Sequence, residues 1–425
     1  MNRVLVTGLG VVSSIGLGPE AFCAALKAGK SGIRSISQQD SEHGLRINIA
    51  ALLNDFDFNR EIEALDGLPQ ELLERAMVVA RRAPLSIQAS TLSALQAWKQ
   101  AGLMTRPADP LRTGVIVGGH NISQRYAYEM HEAHGENLDY IPPNYGLQFM
   151  DSTQVGVLSE LFQIRGEGFT VGGASASGNV GLVQGCRMIQ WGVVDVCLVV
   201  GALSDVSPME LKAWDNMGAM GGKMIQCPES ACRPFDQQHD GFIYGQGCGC
   251  LILESEASAR SRSAQPLAEI AGAAMCLDGN RLSNPSREGE ARVMAQALTR
   301  ACMLPSDVQY LNTHGTASVL GDDIELAAIA DVFSESVSQL WINSTKSLIG
   351  HCIYAAGAIE AVATIMQLNH GFVHPNPNLD NPIGDGLRFV GKESQLVEFD
   401  IAQSNSFGFG GFNTSIVFKR WHDAA

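Results

Sequence analysis

The sequence has no surplus of positive charge. It carries 29 Lys and Arg residues against 44 Asp and Glu residues, which gives a formal net charge of −15. General binding to nucleic acid or to an anionic membrane requires a broad basic surface, so the composition excludes both as the main activity. A local basic patch for an acidic protein partner is still compatible with this balance.

Long apolar runs and paired cysteines are also missing. No apolar stretch approaches the about 18 residues of a membrane-spanning helix, and the N-terminal MNRVLVTGLGVV is typical of a first strand rather than of a signal peptide. The ten cysteines show no C-x-x-C spacing, so we expect no metal site of that kind. Most of them lie in apolar runs, which indicates reduced core thiols in a cytoplasmic protein.

The residues needed for a large core are present. Hydrophobic residues make up 45% of the 425 residues. Runs of strand character alternate with amphipathic stretches of helical character, and this alternation predicts an α/β architecture. The predicted strands are RVLVTGLGVV, GVIVGG, VDVCLVVGA, GCGCLILE, VQYLNTHG, LWINSTK and TSIVFK, and the clearest helices are RAPLSIQASTLSALQAW and ARVMAQALTRACM.

One pattern occurs twice in the chain. The strand FTVGG leads through a turn at Ser175 into a helix of small residues, and the strand LWINSTK leads through a turn at His351 into another such helix. Each helix pattern ends at a glycine, a common C-terminal cap. The repeat predicts two similar halves, placed at residues 1–255 and 256–425, with a polar stretch between them and a site where they meet.

The first of these turns, GGASASGNVG, carries two serines. Its segment G-A-S-A-S differs from the G-x-S-x-G turn of serine hydrolases because Ser177 replaces the last glycine. Serine is also a common helix N-cap, whose side chain accepts a hydrogen bond from a backbone N–H group. These residues alone leave a nucleophile and a cap as alternatives for Ser175.

Further motifs contain residues that are suited to catalysis. His314 follows a strand in NTHGTAS, and Lys346 and His351 lie in STKSLIGH. Two histidines in such turns are notable in a chain that has only ten. The glycines of NSFGFGGFN, residues 405–413, either form a tight hairpin or present backbone N–H groups to a ligand. The N-terminal TGLGVVSSIG lacks the spacing of a dinucleotide loop and predicts a strand and a turn.

Together these motifs resemble the β-ketoacyl-ACP synthases, the condensing enzymes of fatty-acid and polyketide synthesis. The resemblance runs nearly from end to end, through RVLVTGLGVVS, RPFDQQHDGFIYGQGCGCLILE, NTHGTASVLGDDIE, NSTKSLIGHCIYAAG and NSFGFGGFN. It implies a thiolase-like α/β fold, duplicated in five αβαβα layers, and a homodimer. It also implies that no cofactor is bound and that the substrate arrives on the phosphopantetheine arm of an acyl carrier protein (ACP).

The resemblance also implies a role for each matching residue. His314 and His351 match the catalytic histidines, and the backbone N–H groups of Ser175 and Phe409 match the oxyanion hole. Phe409 also matches the gating phenylalanine. The charged residues that orient the histidines match Lys346, Asp322, Glu325 and Glu360, and the hydroxyls that bond the pantetheine amides match Thr316 and Ser318.

The main departure from the family pattern is Ser175. Condensing members read A-C-x-S-G where this chain reads A-S-A-S-G, so serine replaces the nucleophilic cysteine. A thiolate accepts an acyl group readily, whereas a serine hydroxyl needs a general base, and the sequence shows no added base. Gln246 and Phe412 also differ, since the family usually has Glu and Thr at these positions.

Decarboxylation of a malonyl thioester needs no nucleophile. It needs hydrogen-bond donors for the enolate oxygen, and the two retained histidines can supply them. The sequence therefore predicts a ketosynthase-like decarboxylase that converts malonyl-ACP to acetyl-ACP. It resembles the serine variants of polyketide β-branching cassettes, in which a hydroxymethylglutaryl-CoA-synthase-like partner uses the acetyl-ACP.

Three alternatives remain open at this point. The first is an ordinary condensing synthase whose cysteine was changed to serine by engineering. The second is a non-catalytic partner subunit similar to a chain-length factor, which the retained histidines and lysine disfavour. The third is a serine acyltransferase or hydrolase on the same fold.

An acidic carrier protein needs a basic docking surface. Arg75, Arg81 and Arg82, in LLERAMVVARRA, are candidates at the mouth of the site. The same pattern is also typical of an ordinary solvated helix face.

Overall fold

The computed structural model describes residues 1–36, 48–222 and 227–422, which form sixteen strands and fourteen α-helices. The strands are β1 (Val4–Ser13), β2 (Gly16–Leu17), β3 (Arg34–Ser35), β4 (Ile49–Ala50), β5 (Thr113–Gly118), β6 (Gly168–Val171), β7 (Val196–Gly201), β8 (Gly247–Ser255), β9 (Ala268–Leu277), β10 (Tyr310–Asn312), β11 (Trp341–Asn343), β12 (Phe372–Val373), β13 (Arg388–Phe389), β14 (Gln395–Leu396), β15 (Ile401–Gly408) and β16 (Phe412–Arg420). The helices are α1 (Pro19–Lys27), α2 (Phe58–Glu63), α3 (Gln70–Ala80), α4 (Leu85–Gln100), α5 (Gln124–His134), α6 (Tyr145–Gln148), α7 (Ser152–Phe162), α8 (Ser177–Gln190), α9 (Pro208–Asn216), α10 (Glu256–Arg262), α11 (Arg287–Ala301), α12 (Val319–Phe333), α13 (Lys346–Ile349) and α14 (Ala356–His370).

The order of the strands repeats along the main sheet. The first half of the sheet runs β6-β5-β7-β8-β1, and the second runs β11-β10-β15-β16-β9, with β13 beyond β11. In each half the first three strands are mutually parallel, and the next two each run antiparallel to their neighbour. Strands β1 and β9 pair with each other and join the halves. The predicted internal repeat is therefore present in the strand topology.

Helices cover both faces of each half of the sheet. Helix α4 and helix α7 pack on the outer face of the first half, and α11 and α12 pack on the outer face of the second. Helices α8 and α14 lie between the two halves and bury their apolar side chains in a shared core. This gives the five αβαβα layers that the resemblance implied, and the prediction of an α/β fold is confirmed.

The composition of the strands explains where they lie. The parallel strands β5 and β7 read TGVIVG and VCLVVG and are buried along their whole length, as strands covered by helices on both faces are. The glycines of β1 let a helix approach closely: a Cβ atom added to Gly10 would lie 1.8 Å from the carbonyl oxygen of Ser93 in α4. The glycine-rich N-terminus therefore has a packing function.

Several local predictions are confirmed by the fold. Helix α14 ends at Gly371 in the left-handed conformation, as the glycine cap predicted. All ten cysteines are unpaired, and six of them are buried. None of the helices in the described ranges is long and apolar enough to cross a membrane.

The polar stretch between the predicted halves is a helix with a buried ion pair. Helix α10 occupies it, and Arg262 at its end binds Glu254 of β8, with Nη2 and Oε2 2.8 Å apart and both side chains buried. A buried ion pair rather than a row of apolar residues anchors this segment, so its sequence reads as a polar stretch. The division between residues 255 and 256 stays a prediction.

The buried ion pair predicts a large difference between two arginines on α10. Arg262→Met is expected to lower the free energy of unfolding by about 3–5 kcal/mol, because it leaves the carboxylate of Glu254 buried and unpaired. Arg260→Met on the same helix removes only an exposed pair with Glu256 and is expected to cost less than about 1 kcal/mol. Urea unfolding of the two variants tests this, and equal losses would contradict the buried role of Arg262.

Candidate active site

A pocket of about 480 Å³ lies where the two halves meet. The first half contributes Ser175, from the turn between β6 and α8. The second half contributes His314 after β10, His351 before α14 and Phe409 between β15 and β16. The other predicted site residues that line the pocket are Thr316, Ser318, Asp322 and Glu325.

The turn that carries Ser175 is fixed by its neighbours. Ala174 adopts a left-handed conformation with φ of 47°, which is strained for a residue with a side chain. The Oγ of Ser177 accepts a hydrogen bond from the N–H of Gly173 (3.0 Å) and donates one to the carbonyl oxygen of Ala174 (2.7 Å). Helix α8 has Ala176 at its N-cap position without a side-chain cap bond, so Ser177 fixes the turn and Ser175 lines the pocket.

The side chain of His351 bonds Ser175 in a defined tautomer. The N–H of Ile353 donates to Nδ1 of His351 (3.2 Å), so this nitrogen carries a lone pair and the ring proton is on Nε2. Nε2 lies 2.9 Å from Oγ of Ser175 and is therefore the donor in that bond. Burial and the nearby Lys346 hold the pKa of His351 well below its usual value, which keeps the ring neutral.

His314 stands beside His351 and is held through its backbone. The two imidazole rings are nearly perpendicular, with centroids 5.6 Å apart. The N–H of His314 donates to Glu325 (2.8 Å), and its carbonyl oxygen accepts from Nζ of Lys346 (2.6 Å). Burial, Lys346 and His351 hold the pKa of His314 well below its usual value. Its Nδ1 is buried without a hydrogen-bond partner among the described residues, so Nε2 is the nitrogen available to a ligand.

Lys346 and Glu360 form a buried ion pair behind the histidines. Both side chains are buried, and Nζ lies 2.5 Å from Oε1 of Glu360. Neither residue lines the pocket. Lys346 therefore holds the backbone of His314 and places its positive charge near both imidazoles, while Glu360 holds the lysine in position.

The two predicted carboxylates of α12 hold the loop after β10. Asp322 accepts hydrogen bonds from the N–H groups of Phe235 (2.7 Å) and Thr316 (3.1 Å). Glu325 accepts from the N–H groups of His314 and of the glycine that follows it, and burial raises its pKa to about 7. These contacts go to the backbone, so the carboxylates position His314 without touching its ring.

The glycine-rich hairpin between β15 and β16 packs against the Ser175 turn. A Cβ atom added to Gly408 would lie 2.4 Å from the carbonyl oxygen of Gly173 and 3.2 Å from the nitrogen of Ser175. Phe409 is 43% exposed and lines the pocket, while the ring of Phe412 packs against Gly173. The segment is thus both a tight hairpin and a wall of the pocket.

Gln246 does not line the pocket, and its side chain bonds residues behind it. Its amide N–H lies 3.3 Å from Oδ1 of Asp205, and its Oε1 accepts from the N–H of Leu53. Burial raises the pKa of Asp205 to about 6. The glutamate that is usual in the family would place a second carboxylate beside Asp205, and the amide avoids this repulsion.

The predicted docking arginines do not line the pocket. Arg75 donates to the carbonyl oxygen of Leu161 (3.1 Å) and to Glu71 (3.4 Å), and it borders a separate cavity under α3. Arg81 and Arg82 are exposed at the end of α3. Their part in docking a carrier protein stays a prediction.

Several residues of the pocket were missed by sequence analysis, and three of them bear on its chemistry. His120 and Tyr354 line it with ring centroids 4.6 Å apart. Glu290 of α11 also lines it, is buried, and has an Oε2 atom with no hydrogen-bond partner among the described residues. The internal repeat contained a signal for Tyr354, because it aligns this residue with Ser175, whereas nothing in the sequence around Glu290 indicated burial.

Glu290 predicts a measurable dependence of stability on pH. Burial, with the nearby Glu325, Asp278 and Asp322, raises the pKa of Glu290 well above its usual value. A raised carboxyl pKa means that the folded state holds its proton while the unfolded state releases it, so stability falls as the pH rises above about 4.5. Glu290→Gln removes this loss. Between pH 6 and pH 8 the variant is expected to lose less stability than the parent, by on the order of 1 kcal/mol in urea unfolding.

The matched control for this experiment is Glu288→Gln, which changes an exposed carboxyl group two residues earlier on the same helix. It is expected to leave the pH dependence as in the parent. If Glu290→Gln also leaves it unchanged, Glu290 is ionised in the folded protein.

Comparison with known proteins agrees with this geometry. The profile of the β-ketoacyl synthase N-terminal domain matches residues 1–259, and that of the C-terminal domain matches residues 267–380. The polyketide biosynthesis malonyl-ACP decarboxylase PksF of Bacillus subtilis (strain 168) is 40% identical over 99% of this chain and 97% of its own length. The 3-oxoacyl-[acyl-carrier-protein] synthase 2 of Coxiella burnetii (strain RSA 493 / Nine Mile phase I) is 31% identical over 99% of both chains.

A solved structure gives the same result for the fold. A type II PKS ketosynthase, bound to a hexaketide and in complex with its acyl-carrier protein, superimposes with a TM-score of 0.86 at 26% identity, over 99% of this chain and 100% of that chain. Two matching domain profiles, relatives above 30% identity along nearly the full length and this superposition lead to one conclusion: the chain belongs to the β-ketoacyl synthase family and has its thiolase-like fold.

Proposed function

We propose that this protein is a malonyl-ACP decarboxylase, which converts malonyl-ACP to acetyl-ACP without efficient condensation. The observation that carries the proposal is the direction of the bond between His351 and Ser175. Because Nδ1 of His351 accepts from the backbone, Nε2 donates to Oγ and cannot take the serine proton. Ser175 therefore lacks the general base that a hydroxyl nucleophile needs.

The Nε2 atoms of His314 and His351 suit the decarboxylation step as hydrogen-bond donors. The carbonyl oxygen of a malonyl thioester in this pocket accepts from Nε2 of His314 and from Nε2 of His351. The bond between the methylene carbon and the carboxylate breaks, carbon dioxide leaves, and the electron pair moves into an enolate whose oxygen keeps both hydrogen bonds. A proton from water then adds to the methylene carbon and gives the acetyl thioester. Fixed donors aimed at a developing oxyanion are the main source of rate in such a site.

The comparisons support this assignment and its partner. PksF, which is named a malonyl-ACP decarboxylase, shares 40% identity, against 31% for the condensing synthase from Coxiella burnetii. The similar ketosynthase of known structure is in complex with an acyl-carrier protein. We propose an acyl carrier protein as the partner here, with Thr316 and Ser318 bonding the pantetheine arm at the pocket wall.

A homodimer is proposed from the edge of the sheet. Strand β6 pairs only with β5 within the described chain, which leaves one edge open. The nearby segment between α5 and α7 exposes large apolar side chains, which is typical of an interface. These are Leu138, Tyr140, Leu147 and Phe149.

The acetyl-ACP product suggests the next enzyme. We propose that a hydroxymethylglutaryl-CoA-synthase-like enzyme of the same pathway consumes it. The unpaired thiols fit the reducing conditions of the cytoplasm, which we propose as the compartment.

The proposed reaction can be followed on the carrier protein. Incubation with malonyl-ACP is expected to give acetyl-ACP, seen by intact mass spectrometry of the carrier as the loss of carbon dioxide. His314→Ala or His351→Ala is expected to slow the reaction by about 10²–10³, because each removes one donor to the enolate oxygen. His370→Ala, at the exposed end of α14, serves as the matched control. Malonyl-ACP that persists unchanged with the parent protein would refute the proposal.

Substitutions at Ser175 are expected to affect decarboxylation less than those of the histidines. Ser175→Ala keeps the backbone N–H, so it is expected to slow decarboxylation by less than about tenfold, well short of the loss of a donor. Ser175→Cys is expected to gain a stable acetyl adduct from acetyl-ACP, because a thiolate at a helix N-terminus is nucleophilic. A stable ester on the parent Ser175 would instead indicate a serine acyltransferase.

A further inference from the structure

The internal repeat gives Ser175 a counterpart in the second half. Ala174 before Ser175 has φ of 47°, and Ile353 before Tyr354 has φ of 48°. Each of these strained residues opens a short 3₁₀ turn that leads directly into a central helix, α8 or α14. Tyr354 therefore occupies the position in the second half that the nucleophile-position serine occupies in the first.

Tyr354 packs against His120 at one wall of the pocket. Its side chain is buried, and its ring centroid lies 4.6 Å from that of His120. His120 in turn lies against the Ser175 turn, since a Cβ atom added to Gly172 would be 2.9 Å from its Cδ2. The two rings and the backbone of the turn are thus in continuous contact.

The surroundings of Tyr354 and His120 keep both rings uncharged. Burial, with the nearby Asp151 and Glu210, raises the pKa of Tyr354 to about 12, so its hydroxyl stays protonated. Burial lowers the pKa of His120 against the opposing effect of Asp151, which favours the neutral ring at pH 7. Neutral rings in contact within a well-packed wall leave little room for a further group.

The two rings are only part of the pocket lining. Thr316, Ser318 and the exposed Phe409 also line it, and the proposed function assigns the pantetheine arm to Thr316 and Ser318. The volume of about 480 Å³ therefore includes space for the arm and does not imply space for an acyl chain beyond Ser175.

We propose that Tyr354 and His120 limit the length of the acyl group that this site accepts. Their rings fill the space beyond Ser175 that a longer chain would occupy, so the site takes a malonyl or acetyl group and rejects a medium-length acyl chain. The inference rests on the proposed function in taking a carrier-bound acyl thioester as the ligand. A decarboxylase does not hold a growing chain, so closing this space is compatible with its turnover.

Acyl loading of Ser175→Cys tests the limit directly. The variant is incubated with acetyl-ACP or octanoyl-ACP, and the adduct on the protein is followed by intact mass spectrometry. Acetyl is expected to load at least about tenfold faster than octanoyl, since a packed wall gives way only at the cost of displacing side chains. Adding Tyr354→Ala, or separately His120→Ala, is expected to raise octanoyl loading at least about tenfold.

The control combines Ser175→Cys with Phe162→Ala. Phe162 stacks on Trp98 and lines the separate cavity under α3, so its truncation removes similar aromatic volume away from the site. The ratio of acetyl to octanoyl loading is expected to stay as in Ser175→Cys. Circular dichroism shows whether each variant is folded.

Two results would overturn the inference. One is equal loading of octanoyl and acetyl by Ser175→Cys, and the other is no gain of octanoyl loading in either folded double variant. Calorimetric binding of acetyl- and octanoyl-pantetheine to the parent protein gives the same ratio without any substitution. If the selectivity holds but the parent does not decarboxylate malonyl-ACP, the proposed function fails while the length limit stands.

Discussion

The close contact between the first turns of α8 and α14 determines the geometry of the whole site. A Cβ atom added to Gly178 would lie 2.6 Å from the backbone nitrogen of Ala358, and one added to Gly357 would lie 2.7 Å from Oδ1 of Asn179. The two helices meet through reciprocal glycines, related by the internal repeat. Since the catalytic turns immediately precede these helices, any larger residue at the contact would separate the serine of one half from the histidine of the other.

The two halves of the repeat supply different groups to the site. The first half supplies a turn with a left-handed alanine, and the second supplies both imidazoles together with the lysine and the carboxylates behind them. Glu325 and Lys346 each hydrogen-bond the main chain of His314, so they fix its position, and the ring stays neutral. The hydroxyl of Ser175 accepts the hydrogen bond of His351 Nε2, which would otherwise be an unpaired polar group.

Much of the α/β architecture followed from the sequence, because the relevant signals are local, whereas the roles of the site residues came from the family resemblance. Alternating strands and helices, glycine at helix ends and the repeated strand-turn-helix unit all depend on neighbouring residues. The tautomer of His351 did not follow, since it is set by one backbone N–H group whose direction depends on the strained Ile353. Helix α10 was missed because its anchor is an ion pair with Glu254, which an apolar pattern cannot reveal. The burial of Glu290 depends on tertiary contacts that no local pattern indicates.

The position of β1 in the sheet has a consequence for the folding of the chain. Strand β1 pairs with β8 in a register that joins Ser13 to Gly247, a separation of 234 residues, and with β9 beyond it. Apart from the two-residue strand β2, its hydrogen-bonding partners are thus distant in sequence. Contacts of such high sequence separation slow folding and prolong the exposure of apolar segments. The buried apolar segment VLVTGLGVVS therefore acquires most of its strand partners through contacts that are slow to form.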